Sequence, residues 1–328
     1  MSIPQRPFLL PRPLPPAGTI GIVSPAGSPS HADLDRAVAV LTGRGYRVRV
    51  GEHAADSAAS DGFPYLAGSD ADRAADVNEM LSDPAIDLVL CARGGYGCAR
   101  VLPLLDYDAP RRDPKPVVGY SDITALSLAL AARAGVASFS GIMATAGDGF
   151  GENTLDPFSE ASFWQAVGAN GFRGAYAPPT DATPWTTHRA AASGADTVTG
   201  AVFPVCLSLL TSLVGTSYLP DLRGAILVIE DVHEELYAVD RMLTQLRQAG
   251  LLADLSAVLI GSFTGTTDAE LALLVAGVPR LVLKNTPPTV AVASGVAYGH
   301  IPRRLTLPVG VVGTAHLRRS KIAFDTGA

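Results

Sequence analysis

The segment Pro116–Leu126 reads PVVGYSDITAL and predicts a short buried strand, a tight turn at Gly119 and the start of a helix. Ser121 then lies at the carboxyl end of a strand and at the amino end of a helix. Such a turn exposes the serine hydroxyl, and the free N–H groups at the helix start can stabilise an oxyanion. The segment therefore favours a nucleophilic serine, although Ile123 occupies the second glycine position of the G-x-S-x-G pattern. The alternative is that Ser121 or Asp122 only caps the helix.

Three further apolar segments end in residues that suit a catalytic site. The glycine-rich loop Arg93–Gly97 follows one of them, Glu230 and Asp231 end another, and His300 follows a third. Catalytic groups of α/β proteins commonly lie just beyond the carboxyl ends of strands. The sequence therefore predicts a site of serine, acid and histidine. Glu230 and Asp231 are neighbours in a predicted strand and should point to opposite faces, so only one of them can serve as the acid.

Strands and helices alternate through the first half of the chain. The buried strand Thr19–Val23 precedes the helix His31–Arg44, whose apolar residues recur at helical spacing. This alternation predicts an open parallel sheet covered by helices, in a domain over residues 1–165. Residues 166–195 are rich in glycine, proline and polar residues and indicate a crossing between domains, with room for short edge strands. Residues 196–328 predict a second, mixed α/β domain, in which Val309–Gly313 forms the last strand.

The composition of the chain limits the classes of protein to which it can belong. A chain of 328 residues with 48% hydrophobic residues can form two domains with large cores. The net charge of −6 and the absence of long basic runs argue against nucleic acid or an anionic membrane as a partner. The three cysteines form no C-x-x-C pair, which argues against disulfides and structural zinc. The segment Met1–Pro11 lacks a long apolar run, so we expect an extended arm and a cytoplasmic protein.

Taken together, these segments resemble the LD-carboxypeptidase family of serine peptidases. The pieces that carry the resemblance run from residue 22 to residue 310 in the order of the family: Ile22–Ala26, Ala92–Gly97, Gly119–Thr124, Ile229–Val232, Tyr237, Asp240–Leu246, Gly299–His300 and Leu307–Gly310. The resemblance implies a flavodoxin-like N-terminal domain with a parallel sheet and a smaller β-rich C-terminal domain. It also implies a homodimer that needs no metal or other cofactor.

The activity implied by the resemblance is hydrolysis of the amide between an L-centre and a terminal D-amino acid. The expected partner is thus a small peptide, such as the murein tetrapeptide of cell-wall recycling. A related branch resembles microcin C immunity proteins, which cleave an aminoacyl-nucleotide, and this second substrate stays open. A rival of another class is a non-catalytic α/β protein that binds a small ligand through the glycine-rich turns Ser24–Ser28 and Gly94–Gly97.

The resemblance also assigns roles to residues. It makes Ser121 the nucleophile, His300 the base and Glu230 the acid that orients the base. From the residues alone, His233 is a serious rival for the base because it lies close to the acid in sequence. The alternative for Glu230 is a purely structural role, in which it only forms an ion pair with Arg241.

The remaining candidates lie in the two turns near the nucleophile. The N–H groups of Gly95 and Asp122 are the candidate oxyanion hole. Arg93 is a candidate for binding the terminal carboxylate of the substrate, because a guanidinium matches a planar carboxylate, and Tyr96 is a second substrate-binding candidate.

Three features depart from the pattern of the family, and one of them is His233, which follows Asp231-Val232 where a glycine is common. Pro204-Val205-Cys206 stands where the family has Gly-Gly-Asn, and Arg304 stands where an asparagine is common after the histidine. We expect these changes to alter the wall on the substrate side of the site.

Overall fold

The computed structural model describes residues 8–58, 62–145, 149–151, 155–265 and 267–324, so part of the predicted N-terminal arm lies outside it. The strands are β1 (Thr19–Val23), β2 (Arg47–Val50), β3 (Leu88–Cys91), β4 (Val117–Val118), β5 (Ser138–Ser140), β6 (Gly174–Tyr176), β7 (Thr186–Arg189), β8 (Thr197–Cys206), β9 (Ile226–Val232), β10 (Ala257–Thr264), β11 (Ala291–Ser294), β12 (Leu307–Val309), β13 (Val311–His316) and β14 (Lys321–Phe324). The α-helices are α1 (His31–Gly43), α2 (Asp70–Ser82), α3 (Cys98–Val101), α4 (Asp108–Arg112), α5 (Thr124–Ala129), α6 (Pro157–Val167), α7 (Leu207–Ser212), α8 (Leu236–Gln248) and α9 (Asp268–Asn285).

The first sheet has the order β12-β5-β4-β3-β1-β2. Its five strands from the first half of the chain run parallel, and the predicted alternation of strands and helices is thereby confirmed. Two helices that cover this sheet, α1 and α2, begin at serine caps that satisfy an N–H group of the first turn. The Ser30 side chain accepts the N–H of Asp33 at the start of α1, and the Ser69 side chain accepts that of Asp72 at the start of α2.

The second sheet has the order β6-β14-β13-β8-β9-β10-β11-β7. Strands β8 to β11 run parallel in its middle, and antiparallel strands flank them on both sides. The two short strands of the predicted crossing, β6 and β7, form opposite edges of this sheet. The chain is thus a mixed α/β protein with a mostly parallel N-terminal sheet and a mixed C-terminal sheet, as the sequence predicts.

The predicted strand Val309–Gly313 is two strands in the structure. Residues of β12 pair antiparallel with β5 in the first sheet, whereas β13 pairs antiparallel with β8 in the second. Gly310 separates them with φ +83°, a backbone conformation that favours glycine and breaks the strand. The C-terminal part of the chain therefore joins both sheets, and the predicted boundaries at 165 and 196 stay predictions.

The hydrophobic core is shared between the two sheets. One cluster of buried side chains contains Val23 and Val89 of the first sheet together with Phe203 and Ile229 of the second. Shared burial of this kind fixes the two sheets relative to each other. In the part of the chain that the structure describes, no helix is long and apolar enough to cross a membrane.

Candidate active site

Ser121 lies in the turn between β4 and α5, as the sequence predicts. Its φ of +62° is in the left-handed region, which is strained for a residue with a side chain. Gly94 faces it closely, because a Cβ atom on Gly94 would lie 2.9 Å from Ser121 Cβ and 3.0 Å from Ser121 Oγ. The serine is therefore presented on a strained turn, and only a glycine fits opposite to it.

Glu230 lies in β9 and is completely buried. His300 comes after β11, directly after Gly299, which has φ +117°. A Cβ atom on Gly299 would lie 2.8 Å from Glu230 Oε2, so glycine is needed for this segment to approach the acid. The approach brings His300 Nδ1 to 2.7 Å from Glu230 Oε2.

The same imidazole reaches Ser121. His300 Nε2 lies 3.1 Å from Ser121 Oγ, so Ser121, His300 and Glu230 form one continuous chain of hydrogen bonds. With the proton on Nδ1 donated to Glu230, Nε2 is free to accept the proton of the serine hydroxyl. The His300 side chain is 19% exposed, so a substrate can reach it from solvent. This arrangement can activate a serine for attack on a carbonyl carbon.

Asp231 has different partners from its neighbour Glu230. Its carboxylate accepts the N–H groups of Ser208 at 2.7 Å and Val232 at 2.9 Å, and it contacts the Cys206 thiol at 3.4 Å. Burial, and next the charge of Glu230, raise the pKa of Asp231. The two carboxylates thus contact different groups. Arg241, the alternative ion-pair partner of Glu230, instead lies over the ring of Tyr237.

The glycine-rich loop lies against the turn that contains Ser121. The Gly94 carbonyl accepts the N–H of Gly27 at 3.1 Å, and Gly95 and Gly97 both have positive φ, +110° and +133°. A Cβ atom on Gly94 would lie 3.4 Å from the backbone nitrogen of Asp122. Gly95 directly follows this point of closest approach, and its oxyanion role together with Asp122 stays a prediction.

The two substrate-binding candidates lie around this loop. Arg93 is half-buried and donates from Nη1 to the Ser28 carbonyl at 3.2 Å. Tyr96 is 50% exposed, and its ring lies 5.9 Å from the ring of Tyr65. Neither of these contacts involves the Ser–His–Glu chain, and both roles stay predictions.

The structure places an aromatic and a cationic side chain near His300 in contacts that the sequence did not predict. The Tyr120 ring lies 4.9 Å from the His300 ring, and the Arg304 guanidinium lies 4.6 Å from the centre of the Tyr120 ring. Arg304 is buried and donates from Nη1 to the Tyr120 hydroxyl at 3.1 Å and to the Gly299 carbonyl at 3.4 Å. The departure at Arg304 therefore lies behind His300. Its expected effect on the substrate side of the site stays a prediction.

The rival base lies elsewhere. The N–H of His233 donates to the Thr264 carbonyl at 2.8 Å, and His233 lines a small acidic cavity with Glu234, Glu235 and Glu270. All three cysteines are free and buried. Within the described residues, no group of three or more His, Cys, Asp or Glu side chains is arranged to hold a metal ion.

Comparison with known proteins finds two family models and several related proteins that match this chain. The family model described as the LD-carboxypeptidase N-terminal domain matches residues 20–141, and that of the LD-carboxypeptidase C-terminal domain matches residues 199–314. A Streptomyces coelicolor protein named as a carboxypeptidase, SCO6489, is 37% identical over 99% of this chain and 98% of its own length. A Bacillus subtilis protein named as a murein peptide carboxypeptidase is 30% identical over 97% of this chain and 94% of its own length.

The fold has a close counterpart among solved structures. The microcin C7 self-immunity protein MccF, in complex with glutamyl sulfamoyl guanosine, superposes with a TM-score of 0.81. The sequence identity is 25%, and the match covers 97% of this chain and 99% of the other.

Proposed function

Because the chain belongs to the LD-carboxypeptidase family of serine carboxypeptidases, we propose that Ser121, His300 and Glu230 are its catalytic triad. The observation that carries this proposal is the hydrogen-bonded chain itself, 3.1 Å from Ser121 Oγ to His300 Nε2 and 2.7 Å from His300 Nδ1 to Glu230 Oε2. The substrate we propose is a murein peptide that ends in a D-amino acid. The 30% identity to the B. subtilis murein peptide carboxypeptidase supports this substrate.

The reaction proceeds in two steps. Ser121 Oγ attacks the carbonyl carbon of the L-residue, and His300 Nε2 takes the serine proton. The resulting imidazolium is stabilised by the buried Glu230 carboxylate. His300 then gives the proton to the amine of the leaving D-amino acid, which departs and leaves an acyl-enzyme on Ser121. Water, deprotonated by His300, hydrolyses the acyl-enzyme and restores the serine.

The negative oxygen of each tetrahedral intermediate needs donors. We assign this role to the N–H groups of Gly95 and Asp122, which flank the contact between Gly94 and the nucleophile's turn. Each such donor is typically worth on the order of 3 kcal/mol of transition-state stabilisation. Arg93 is assigned to the terminal carboxylate of the substrate and Tyr96 to the neighbouring part of the peptide.

An aminoacyl-nucleotide is the second candidate substrate. The likeness in fold to MccF, at a TM-score of 0.81, favours it. The same triad would serve, because both substrates present a carbonyl carbon to Ser121. The non-catalytic alternative gives no reason for a serine, a histidine and a buried glutamate to form one hydrogen-bonded chain.

Two incubations test the proposal. The protein is mixed with murein tetrapeptide and, separately, with an aminoacyl-nucleotide, and products are measured by mass spectrometry. We expect release of the terminal D-alanine from the tetrapeptide by the unaltered chain, and none by Ser121→Ala. Cleavage of the nucleotide alone would overturn the murein assignment, and cleavage of neither substrate would overturn the proposed function.

A homodimer and a cytoplasmic location are further parts of the proposal, supported by the resemblance to the family. Light scattering coupled to size-exclusion chromatography tests the first, and fractionation of the producing cells tests the second. A monomer in solution, or the protein outside the cytoplasm, would contradict the respective part.

A further inference from the structure

The side chain of Asp122 has a partner that the proposed mechanism does not use. Asp122 follows the nucleophile and is 1% exposed. Its Oδ2 atom accepts the N–H of Cys98 at 2.7 Å. Cys98 is the first residue of α3 and comes directly after the glycine-rich loop. The carboxylate next to Ser121 therefore holds the end of the loop that faces Ser121.

A buried cation holds the same end of the loop from the opposite side. Arg73 of α2 is 1% exposed, and its Nη1 donates to the carbonyls of Gly97 at 3.0 Å and Pro25 at 2.5 Å. The Gly97 carbonyl and the Cys98 N–H belong to the same peptide unit. That peptide unit is thus fixed by a carboxylate at its N–H and by a guanidinium at its oxygen.

We propose that Asp122 is a positioning residue, whose carboxylate fixes the glycine-rich loop so that the loop's N–H groups face the oxyanion. This inference rests on the proposed serine mechanism. Gly95 and Gly97 have positive φ, and glycine-rich backbone has many alternative conformations of similar energy. Stabilisation of an oxyanion depends on donors that are already in place before the reaction. The charged side chains of Asp122 and Arg73, which bind the end of the loop, stabilise the one conformation that catalysis needs.

In a purely structural contact, a buried carboxylate costs more free energy of folding than a neutral side chain. Burial raises the pKa of Asp122 to about 6, against which the Cys98 N–H and the charge of Arg73 act only in part. A neutral side chain of the same shape would avoid this penalty. A structural role therefore predicts that neutralisation leaves activity intact, whereas a positioning role predicts a stable protein that is less active.

The chain provides a matched control. Asp76 of α2 is 3% exposed and accepts one backbone N–H, that of His53 at 3.0 Å, and its pKa is raised by burial as well. Asp76 has no place in the proposed catalytic machinery. The experiment compares Asp122→Asn and Asp122→Ala with Asp76→Asn and Asp76→Ala. It measures kcat, KM, Tm and the hydrogen exchange of the Cys98 amide.

We expect kcat to fall about 100-fold in Asp122→Ala, the loss typical of a missing oxyanion donor. Asp122→Asn keeps a neutral acceptor for the Cys98 N–H and should lose about 10-fold, because a charge-assisted bond is roughly twice as strong as a neutral one. KM should stay within about threefold of the unaltered protein, since the oxyanion forms only in the transition state. The Cys98 amide should exchange faster in Asp122→Ala, and both Asp76 variants should keep their kcat.

Three results would overturn the proposal: kcat of both Asp122 variants within about threefold of the unaltered protein, an equal loss in the Asp76 variants, or unchanged exchange of the Cys98 amide. Asp122→Asn keeps the test decisive if Asp122→Ala does not fold. Failure of the proposed function gives a different result, namely an unaltered chain that cleaves neither substrate. The exchange measurement then still decides whether Asp122 holds the loop.

Discussion

Glu230 Oε2 lies 2.7 Å from His300 Nδ1, although the two residues are 70 positions apart in the sequence. The glutamate is completely buried, while the histidine side chain remains 19% exposed. The pair therefore joins a carboxylate inside the second sheet to an imidazole that a substrate can reach. The other buried carboxylate beside it, Asp231, contacts Cys206, Ser208 and Val232 instead.

Glu230→Gln is expected to keep the fold and to lower kcat by about 10⁴-fold, because an amide does not stabilise the imidazolium and favours the wrong histidine tautomer. Asp231→Asn is the matched control, since it neutralises an adjacent buried carboxylate that does not contact His300. We expect a much smaller effect on kcat from this second variant. Steady-state kinetics on one cleaved substrate decide between them. If Glu230→Gln is active and Asp231→Asn is nearly inactive, the acid of the triad is Asp231 and not Glu230.

Replacing the nucleophile should separate activity from stability. Ser121→Ala and Ser121→Gly should both lower kcat by about 10⁶-fold, as loss of a triad serine typically does. Because Ser121 has φ +62°, glycine relieves backbone strain there, and Ser121→Gly should be more stable than Ser121→Ala by about 1 kcal/mol. Turnover is followed by mass spectrometry and stability by thermal denaturation. Residual turnover near that of the unaltered chain would exclude Ser121 as the nucleophile.

The stability of the protein should depend on the charge of Asp122. The pKa of this group is raised from 3.8 to about 6, so between these values the folded protein holds a proton that the unfolded chain does not. Its contribution to folding is thus unfavourable above pH 6 and is relieved as the pH falls toward 4. Asp122→Asn should be more stable than the unaltered chain by about 3 kcal/mol at pH 8, and most of this advantage should vanish near pH 4. Denaturant titrations at both pH values measure it, and an Asn variant that is less stable at pH 8 would contradict the expectation.

A strong chelator should leave activity unchanged, because the proposed serine, histidine and glutamate perform the proton transfers without a metal ion. The assay compares initial rates before and after prolonged dialysis against the chelator. An enzyme that loses activity in this treatment and regains it with added zinc would show that the proposed mechanism is incomplete.

The position of the candidate site could be predicted because its residues follow strand ends. Local signals of apolar residues and glycine mark three places: the turn at Ser121, the acids at the end of β9 and the histidine after β11. Ser121 follows a strand of the first sheet, whereas Glu230 and His300 lie at strand ends of the second, so the packing of the two sheets brings them together. The resemblance to a family then chose Glu230 and His300 among their neighbours. The structure brings His300 into contact with both Ser121 and Glu230, while the roles of all three stay proposals.

The contacts that support this site carried no comparable signal. The sequence analysis assigned no role to Arg73, yet this residue is buried against the carbonyls of Gly97 and Pro25. Asp122 reads as a possible helix cap, and its carboxylate instead binds Cys98. Such pairings depend on how elements distant in sequence pack together, which local patterns do not specify. The strand Val309–Gly313 differed from the prediction for a similar reason, since its two halves pair with different sheets.

The position of β12 has a consequence for how this chain matures. During synthesis the ribosome releases residues in order from the N-terminus, and domains that are continuous in sequence can fold as soon as they emerge. Here the edge of the first sheet is closed by Leu307–Val309, which come near the end of the chain. A nascent chain that already contains Ser121 still lacks this edge strand, as well as His300. Ser121 is therefore made long before His300, and the hydrogen bond between them can form only after the ribosome has released the later residue.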